Sequence, residues 1–165
     1  MTRYVKQRDS VNCGPVLITN ILKWAGNQYS WTEHKHDLMQ KCGTYNNGLK
    51  FGCAQSRVQD VLEYETKRVK KGVKVIARGT PKLALIDKAL RKDGTAAISY
   101  YRINKKNPEY VTGHYFLCIG QTHNFYETVN LFWNRSTITM LSRKRMSKIL
   151  RPYPKHNYLW EIQKV

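Results

Sequence analysis

Acidic residues are scarce in this sequence. Its 165 residues include 11 Asp and Glu against 29 Lys and Arg, which leaves a formal net charge of +18. A charge of this size is typical of proteins that meet an acidic partner, and nucleic acid, an anionic membrane surface or an acidic protein would each qualify. Composition therefore predicts the sign of the partner's charge and leaves its class open.

Long apolar runs are also missing. No stretch approaches the roughly 20 apolar residues that a membrane-spanning helix needs, and the first ten residues, MTRYVKQRDS, lack the apolar core of a secretory signal. We therefore expect a protein without a transmembrane segment that is made in the cytoplasm. Its four cysteines could form two disulfides, but without a signal for export we expect reduced thiols.

Internal repeats and low-complexity tracts are absent as well, which argues against solenoid and disordered proteins. The hydrophobic share of 41% and the aromatic share of 12% are typical of a globular protein with a packed core. A chain of this length suits one domain. We therefore expect residues 1–165 to form a single unit.

A cysteine stands where the first helix should begin. Residues 7–26 read QRDSVNCGPVLITNILKWAG, in which Asn12 is a suitable N-cap, Cys13 falls in the first turn and Pro15 is tolerated there. The apolar residues that follow predict a buried helix that ends near Gly26. The helix dipole and nearby N–H groups should favour the thiolate of Cys13 and so make it a nucleophile. The alternative is a small buried residue, the commoner fate of a lone cysteine.

Three further residues could complete a site around this cysteine. Gln7 lies six positions before it and carries an amide that could donate to an oxyanion. His114 stands at the entrance of an apolar strand, and Asn130 follows sixteen positions later on what should be the next strand. A cysteine at a helix start, then a histidine, then an orienting amide is the order found in papain-like peptidases.

These motifs resemble the papain-like leader peptidases that cleave after double glycine, best known as the N-terminal domains of bacteriocin exporters. The resemblance rests on Gln7, on Cys-Gly-Pro at 13–15 opening an apolar helix, and on Gly-His-Tyr at 113–115 opening an apolar strand. It implies an α+β, papain-like fold in which the helix with the nucleophile packs against an antiparallel β-sheet, here as a free-standing peptidase domain. One departure is Asn130 followed by Leu131, where that family usually has Asp, often followed by Pro. Papain itself uses Asn at this place, so the departure concerns the substrate more than the activity.

The resemblance also implies a mechanism. His114 would accept the proton of Cys13 or pair with its thiolate, and Asn130 would accept a hydrogen bond from the other ring nitrogen. The Gln7 amide and the backbone N–H of Cys13 would hold the oxyanion. The predicted function is hydrolysis of a peptide or isopeptide bond through an acyl-enzyme, with a protein or peptide as substrate. The small size and the charge would suit a phage or mobile-element product that acts in a host cytoplasm or a virion.

Two other functions remain open from the sequence. Amide transfer or deamidation would pass through the same acyl-enzyme. A basic nucleic-acid-binding or adaptor protein could keep the papain-like scaffold, and the basic runs at 67–74 and 143–148 together with 11 tyrosines favour it. Against that reading, no known nucleic-acid-binding motif is present. Salt-sensitive contact with nucleic acid or acidic protein is expected in either case.

One group of residues has the side chains of a metal site. His34, His36, Cys42 and Cys53 could ligate zinc, but their spacing matches no common zinc pattern. We therefore expect solvated histidines and ordinary buried thiols, with no metal and no cofactor.

Hydrophobic periodicity predicts the remaining elements. We expect a turn-rich loop at 44–48, after the second helix, and a polar loop at 102–111, before the histidine strand. The predicted helices span about 32–42, 54–64, 81–93 and 142–150, and the predicted strands lie within 67–78 and at about 95–101, 114–121, 124–130, 135–141 and 158–162.

Overall fold

The computed structural model describes residues 2–9, 11–46, 49–50, 53–103, 111–132, 136–152 and 154–165. Within these ranges the elements follow one another with short connections, and most of them lie where periodicity predicts. They are, in chain order, α1 (Cys13–Trp24), α2 (Trp31–Lys41), β1 (Tyr45–Asn46), β2 (Leu49–Lys50), α3 (Gln55–Thr66), β3 (Val73–Gly79), α4 (Leu83–Arg91), β4 (Thr95–Ile103), β5 (Val111–Gln121), β6 (Phe125–Val129), β7 (Ile138–Ser142), α5 (Arg143–Leu150) and β8 (Tyr158–Lys164).

The main sheet has six strands in the order β3-β8-β4-β5-β6-β7, and every neighbouring pair is antiparallel. The predicted meander of three strands forms one half of it, as β5, β6 and β7. The C-terminal strand β8 lies between β3 and β4, which sequence periodicity cannot indicate because it says nothing about pairing partners. Together with the five helices, this sheet confirms the α+β class.

Helix α1 forms as its sequence predicts, with a different cap. It begins at Cys13 and ends before Gly26, which takes a left-handed φ of +97°. Asn12 occupies the N-cap position but makes no capping hydrogen bond through its side chain. The Asp9 carboxylate instead accepts hydrogen bonds from the backbone N–H groups of Val11 and Asn12. The turn before the helix is therefore held by an acidic residue that the sequence reading passed over.

The two faces of the sheet carry two hydrophobic clusters. Strand β5 shows the alternation clearly, because Tyr115 and Leu117 point to the face covered by α1, α2 and α3, whereas Phe116 and Cys118 point to the face covered by α4 and α5. We call these the α1 face and the α4/α5 face.

Several boundaries differ from the prediction. Helix α2 begins at Trp31 because the hydroxyl of Ser30, not Thr32, accepts the hydrogen bond from the N–H of Glu33. The loop predicted at 44–48 contributes β1, and its residues 47–48 lie outside the described part of the chain. The loop predicted at 102–111 is shortened by the extension of β4 and β5 into it, and its residues 104–110 also lie outside that part. None of the helices described is long and apolar enough to cross a membrane.

Candidate active site

Cys13 is the first residue of α1 and lines a cavity between that helix and the main sheet. Its side chain is only 4% exposed. The cavity has a volume of about 300 Å³, and Ser99 and Tyr101 of β4 and His114 of β5 line it together with Cys13. The structure therefore brings the predicted nucleophile and the predicted base, 101 positions apart, to one cavity.

His114 lies within β5, opposite Tyr100 of β4. The strand begins three residues before the predicted entrance, at Val111. The imidazole is 7% exposed and meets the Tyr100 ring edge-on, with 5.9 Å between the ring centroids. Its Nε2 lies 2.6 Å from the backbone carbonyl oxygen of Asn130. Because a carbonyl can only accept, this contact places a proton on Nε2, and the neutral imidazole then has its lone pair on Nδ1.

Asn130 follows the last residue of β6 instead of lying on the strand. Its φ is +59°, a left-handed conformation that Asn tolerates better than most residues. Its backbone carbonyl makes the hydrogen bond to His114 that the sequence reading had given to the side chain. The side chain binds Gln7 instead: Oδ1 accepts from the Gln7 backbone N–H at 3.0 Å, and Nδ2 donates to Oε1 of Gln7 at 3.4 Å. Asn130 thus contacts both the predicted base and the predicted oxyanion donor.

Gln7 is buried, and each end of its amide has a partner. Oε1 faces the amide of Asn130, and Nε2 donates to the backbone oxygen of Asp9. Both contacts agree on which end of the amide carries the hydrogens. An amide has two N–H bonds, so the contact with Asp9 uses one donor of Gln7 and leaves it a second.

The thiol of Cys13 is less acidic than the helix dipole alone would predict. Burial raises its pKa to about 11, and the nearby thiol of Cys53 adds to this. The backbone N–H groups of Gly14 and Cys13 at the helix start, and that of Tyr115 on β5, act in the opposite direction, but they do not outweigh burial. The resting group is therefore a thiol, and a base must take its proton before or during attack.

Cys53 is a part of this cavity that the sequence reading missed. It precedes α3 and lines the same cavity as Cys13. A Cβ built on Gly14 would come within 2.7 Å of the Cys53 Cβ, so the glycine after Cys13 allows the segment before α3 to pack against α1. The Tyr115 hydroxyl donates to the backbone oxygen of Cys53 and holds that segment from the sheet side. In the sequence, the glycine directly after Cys13 was the signal that could have indicated this close packing.

The four residues with zinc-binding side chains do not form one cluster. His34 stacks on Tyr29, with 4.1 Å between the ring centroids, whereas the thiols of Cys42 and Cys53 contact each other in the core of the α1 face. In the part of the chain that the structure describes, no group of three or more Cys, His, Asp or Glu side chains is placed to hold a metal ion.

The two predicted basic runs lie on different elements. Residues 67–74 lead into β3, which is an edge strand of the sheet, and residues 143–148 belong to α5. Arg143 is not available to a ligand as a simple surface charge, because its guanidinium binds both carboxylate oxygens of Asp87, at 2.9 and 2.8 Å. Part of the second run is thus structural.

Two solved structures share this fold. One is a presumed C39-like peptidase from Bacillus anthracis, with a TM-score of 0.61 and 8% identity over 96% of this chain and 94% of that chain. The other is the peptidase domain of Streptococcus mutans ComA, with a TM-score of 0.53 and 16% identity over 98% of each chain. The predicted papain-like fold, similar to that of these peptidases, is therefore confirmed. No known family profile matches the sequence. No curated protein matches it either.

Proposed function

We propose that residues 1–165 form a single cysteine peptidase domain in which Cys13 is the nucleophile and His114 the general base. The observation that carries the proposal is the cavity that Cys13 and His114 both line, with the imidazole held through Nε2 by the carbonyl of Asn130. A fold shared with two peptidases of very different sequence supports the same reading. That likeness extends to the fold alone, and the proposed reaction rests on the residues of the cavity.

The first step is proton transfer from Cys13 to Nδ1 of His114. A thiol whose pKa lies near 11 holds its proton at neutral pH, so the nucleophile forms only as the imidazole accepts the proton. The carbonyl of Asn130 then stabilises the imidazolium, because it already accepts a hydrogen bond from the opposite ring nitrogen.

The second step is attack of the sulfur on the carbonyl carbon of a peptide bond. A C–S bond forms and the carbonyl oxygen becomes an oxyanion, which the backbone N–H of Cys13 and the second N–H of the Gln7 amide would stabilise. Asn130 contributes here as well, because its side chain fixes the backbone and the amide of Gln7. We therefore assign Asn130 two positioning roles, one for the base through its backbone and one for the oxyanion donor through its side chain.

Collapse of this intermediate breaks the C–N bond, and the leaving amine takes the proton from the imidazolium. Water then attacks the thioester, His114 removes the proton of that water, and the product leaves as a carboxylic acid while the thiol is restored. An amine in place of water would give amide transfer through the same acyl-enzyme. By the resemblance of its motifs, we propose that the substrate is a peptide cleaved after two glycines.

An activity probe tests the proposal most directly. A peptide ending in Gly-Gly and carrying an electrophilic vinyl sulfone should label the wild-type protein at Cys13, as located by mass spectrometry. Cys13→Ala and His114→Ala should not be labelled. Cys118→Ala is the matched control, because Cys118 is also buried but lies on the α4/α5 face, and it should be labelled like the wild type.

A peptide-library digest with the same variants separates the alternatives. New free carboxyl termini that depend on Cys13 support a peptidase, whereas a mass gain equal to an added amine identifies amide transfer and the loss of a glutamine amide identifies deamidation. Labelling that is unchanged in His114→Ala would contradict the proposed base. The absence of both labelling and cleavage in the wild type would contradict the peptidase assignment altogether.

A further inference from the structure

A second concave region lies along the N-terminal segment. It consists of two adjoining cavities of about 580 and 640 Å³, which share Val5, Trp31 and Thr32 in their lining. We call this continuous depression the N-terminal groove. Its wall is made by residues 2–9 on one side and by the start of α2 on the other.

The lining of the groove is strongly basic. Its one acidic residue is Asp9, whose carboxylate accepts hydrogen bonds from the backbone of Val11 and from the backbone and side chain of Asn12. That carboxylate is therefore already committed within the protein. No ion pair between described residues involves any of the five cationic side chains of the lining, which are Arg3, Lys6, Arg8, Lys23 and Lys35.

The wall of the groove is held in place although residues 2–9 form no helix or strand. The backbone N–H of Val5 donates to Oδ1 of Asn20 at 2.7 Å, and its backbone oxygen accepts from Nδ2 of the same side chain at 2.9 Å. Two residues later, Gln7 is bound to Asn130. These contacts fix the segment against α1 and the sheet, so a ligand would meet a preformed surface and lose less entropy on binding.

One residue of the groove lining, Asn12, directly precedes the nucleophile Cys13 in the sequence. Its Oδ1 is buried and accepts no hydrogen bond from any residue that the structure describes. A peptide offers a backbone N–H at nearly every residue, whereas the sugar-phosphate backbone of DNA offers none. The groove thus combines cations with an acceptor that lacks a donor.

We propose that the N-terminal groove binds an acidic stretch of the peptide substrate and so restricts cleavage to substrates with several Asp or Glu residues close to the scissile bond. This inference rests on the proposed function, because it assumes that one polypeptide reaches both the groove and Cys13. Carboxylates would pair with the five cations, and the backbone of the same stretch would supply the donor that Asn12 lacks.

Binding can be measured without turnover on the full-length Cys13→Ala protein. The probe is a fluorescein-labelled octapeptide of alternating Glu and Gly, followed by fluorescence anisotropy at low salt. The triple change Lys6→Gln, Arg8→Gln and Lys35→Gln should weaken binding by about 10- to 100-fold, as expected for three lost charge contacts. The matched triple change Lys88→Gln, Lys144→Gln and Lys148→Gln removes the same charge from exposed positions on α4 and α5 and should change binding by less than about threefold.

Three results would overturn the inference. One is an equal loss of affinity in both triple variants, which would mean non-specific attraction to the net charge. Another is no loss in the groove variant. The third is tighter binding of a single-stranded DNA oligonucleotide that depends on the same three residues, which would identify the groove as a nucleic-acid site.

Cleavage assays distinguish a failure of this inference from a failure of the proposed function. In the catalytically intact background, the groove variant should lose its preference for a Gly-Gly peptide with flanking Glu over one with flanking Gln, through a higher KM for the acidic peptide. Cleavage of both peptides with no such preference in the wild type would overturn the groove inference and leave the peptidase intact. Groove-dependent binding without any labelling of Cys13 would retain the acidic-peptide site and remove the peptidase assignment.

Discussion

Two regions of the molecule bury polar groups in different ways. On the α4/α5 face, the buried Thr128 hydroxyl donates to the backbone oxygen of Thr139 on the neighbouring strand. At the candidate active site, the buried polar residues Gln7, Asn130 and His114 are joined by hydrogen bonds across long stretches of sequence. Each of these costs free energy to desolvate and would pack more favourably as an apolar residue.

This difference separates stability from function. A threonine hydroxyl that donates to the adjacent strand needs no further explanation, because the sheet supplies its partner. A buried network that ends on an imidazole, in a cavity also lined by a thiol, does need one, since nothing in the fold requires these groups at that place. The candidate active site therefore carries the candidate chemistry, while hydroxyls such as that of Thr128 stabilise the sheet on which it is built.

The strongest way to break this comparison is to remove reacting groups at the candidate active site and a matched group elsewhere on the sheet. Cys13→Ala and His114→Ala should each lower the rate of Gly-Gly peptide cleavage by at least about 10³-fold, since nucleophile and base act as a unit. Cys118→Ala should leave the rate per folded molecule within about twofold. Rates should be normalised to the folded fraction from circular dichroism. A comparable loss in Cys118→Ala would mean that the two regions are not functionally distinct.

Alkylation by iodoacetamide compares the two buried thiols directly. Cys13 should react about 100-fold faster than Cys118 in the folded protein, because Cys13 lines an open cavity whereas Cys118 can react only after local unfolding. The Cys13 rate should rise about tenfold per pH unit up to its pKa of about 11, since the thiolate is the reactive form. Mass spectrometry after a timed quench gives both rates. A Cys13 rate that is already high and flat between pH 6 and 8 would indicate a preformed ion pair with His114 instead.

Substitutions at Asn130 sharpen the comparison within the candidate active site. Asn130→Gly keeps the carbonyl and suits the left-handed φ, but it removes the contacts with Gln7, and we expect kcat to fall about tenfold. The kcat of Asn130→Ala should fall further, because alanine also lacks the polar group and its Cβ adds strain of about 1 kcal/mol at this φ. Asn130→Asp keeps an acceptor for the Gln7 N–H and should stay within a few-fold of the wild type. Wild-type kcat in Asn130→Gly would mean that fixing Gln7 is not needed for turnover.

The smallest expected effect concerns the ion pair on the α4/α5 face. Hydrogen bonds from Arg143, and to a lesser degree from Tyr126, lower the pKa of Asp87 below its usual range. The stability gained from this ionised group is complete above the ordinary Asp pKa and is lost as pH falls through the lower pKa of the folded state. Asp87→Asn should therefore reduce the free energy of unfolding at pH 7 by about 1 kcal/mol and weaken its acid dependence. Urea titrations at several pH values check this, and cleavage per folded molecule should not change.

Much of the fold follows from local signals. Periodicity and caps predict most helices and strands, because the apolar stripe of α1 and the Ser142 cap of α5 are written in neighbouring residues. The position of β8 inside the sheet is not predictable in this way, since strand pairing depends on contacts between distant residues. The two short strands β1 and β2 are likewise too brief to give a period.

The sequence indicates candidate members of the site but not the contacts between them. Spacing and residue type indicate Cys13, His114, Asn130 and Gln7. They do not indicate that Asn130 leaves the strand and presents its carbonyl to the imidazole, because a positive φ depends on how the turn after β6 packs. Nor do they indicate that burial outweighs the helix dipole at the thiol, since local sequence does not tell how deeply a side chain is buried.

The hydrogen bond between Gln7 and Asn130 joins residues 123 positions apart. A ribosome adds about 5 to 20 residues per second, so the nucleophile Cys13 leaves the tunnel about 6 to 23 seconds before the residue that positions its base. During that interval the nascent chain carries a thiol without an assembled site, and it cannot cleave itself or a neighbouring nascent chain through that site.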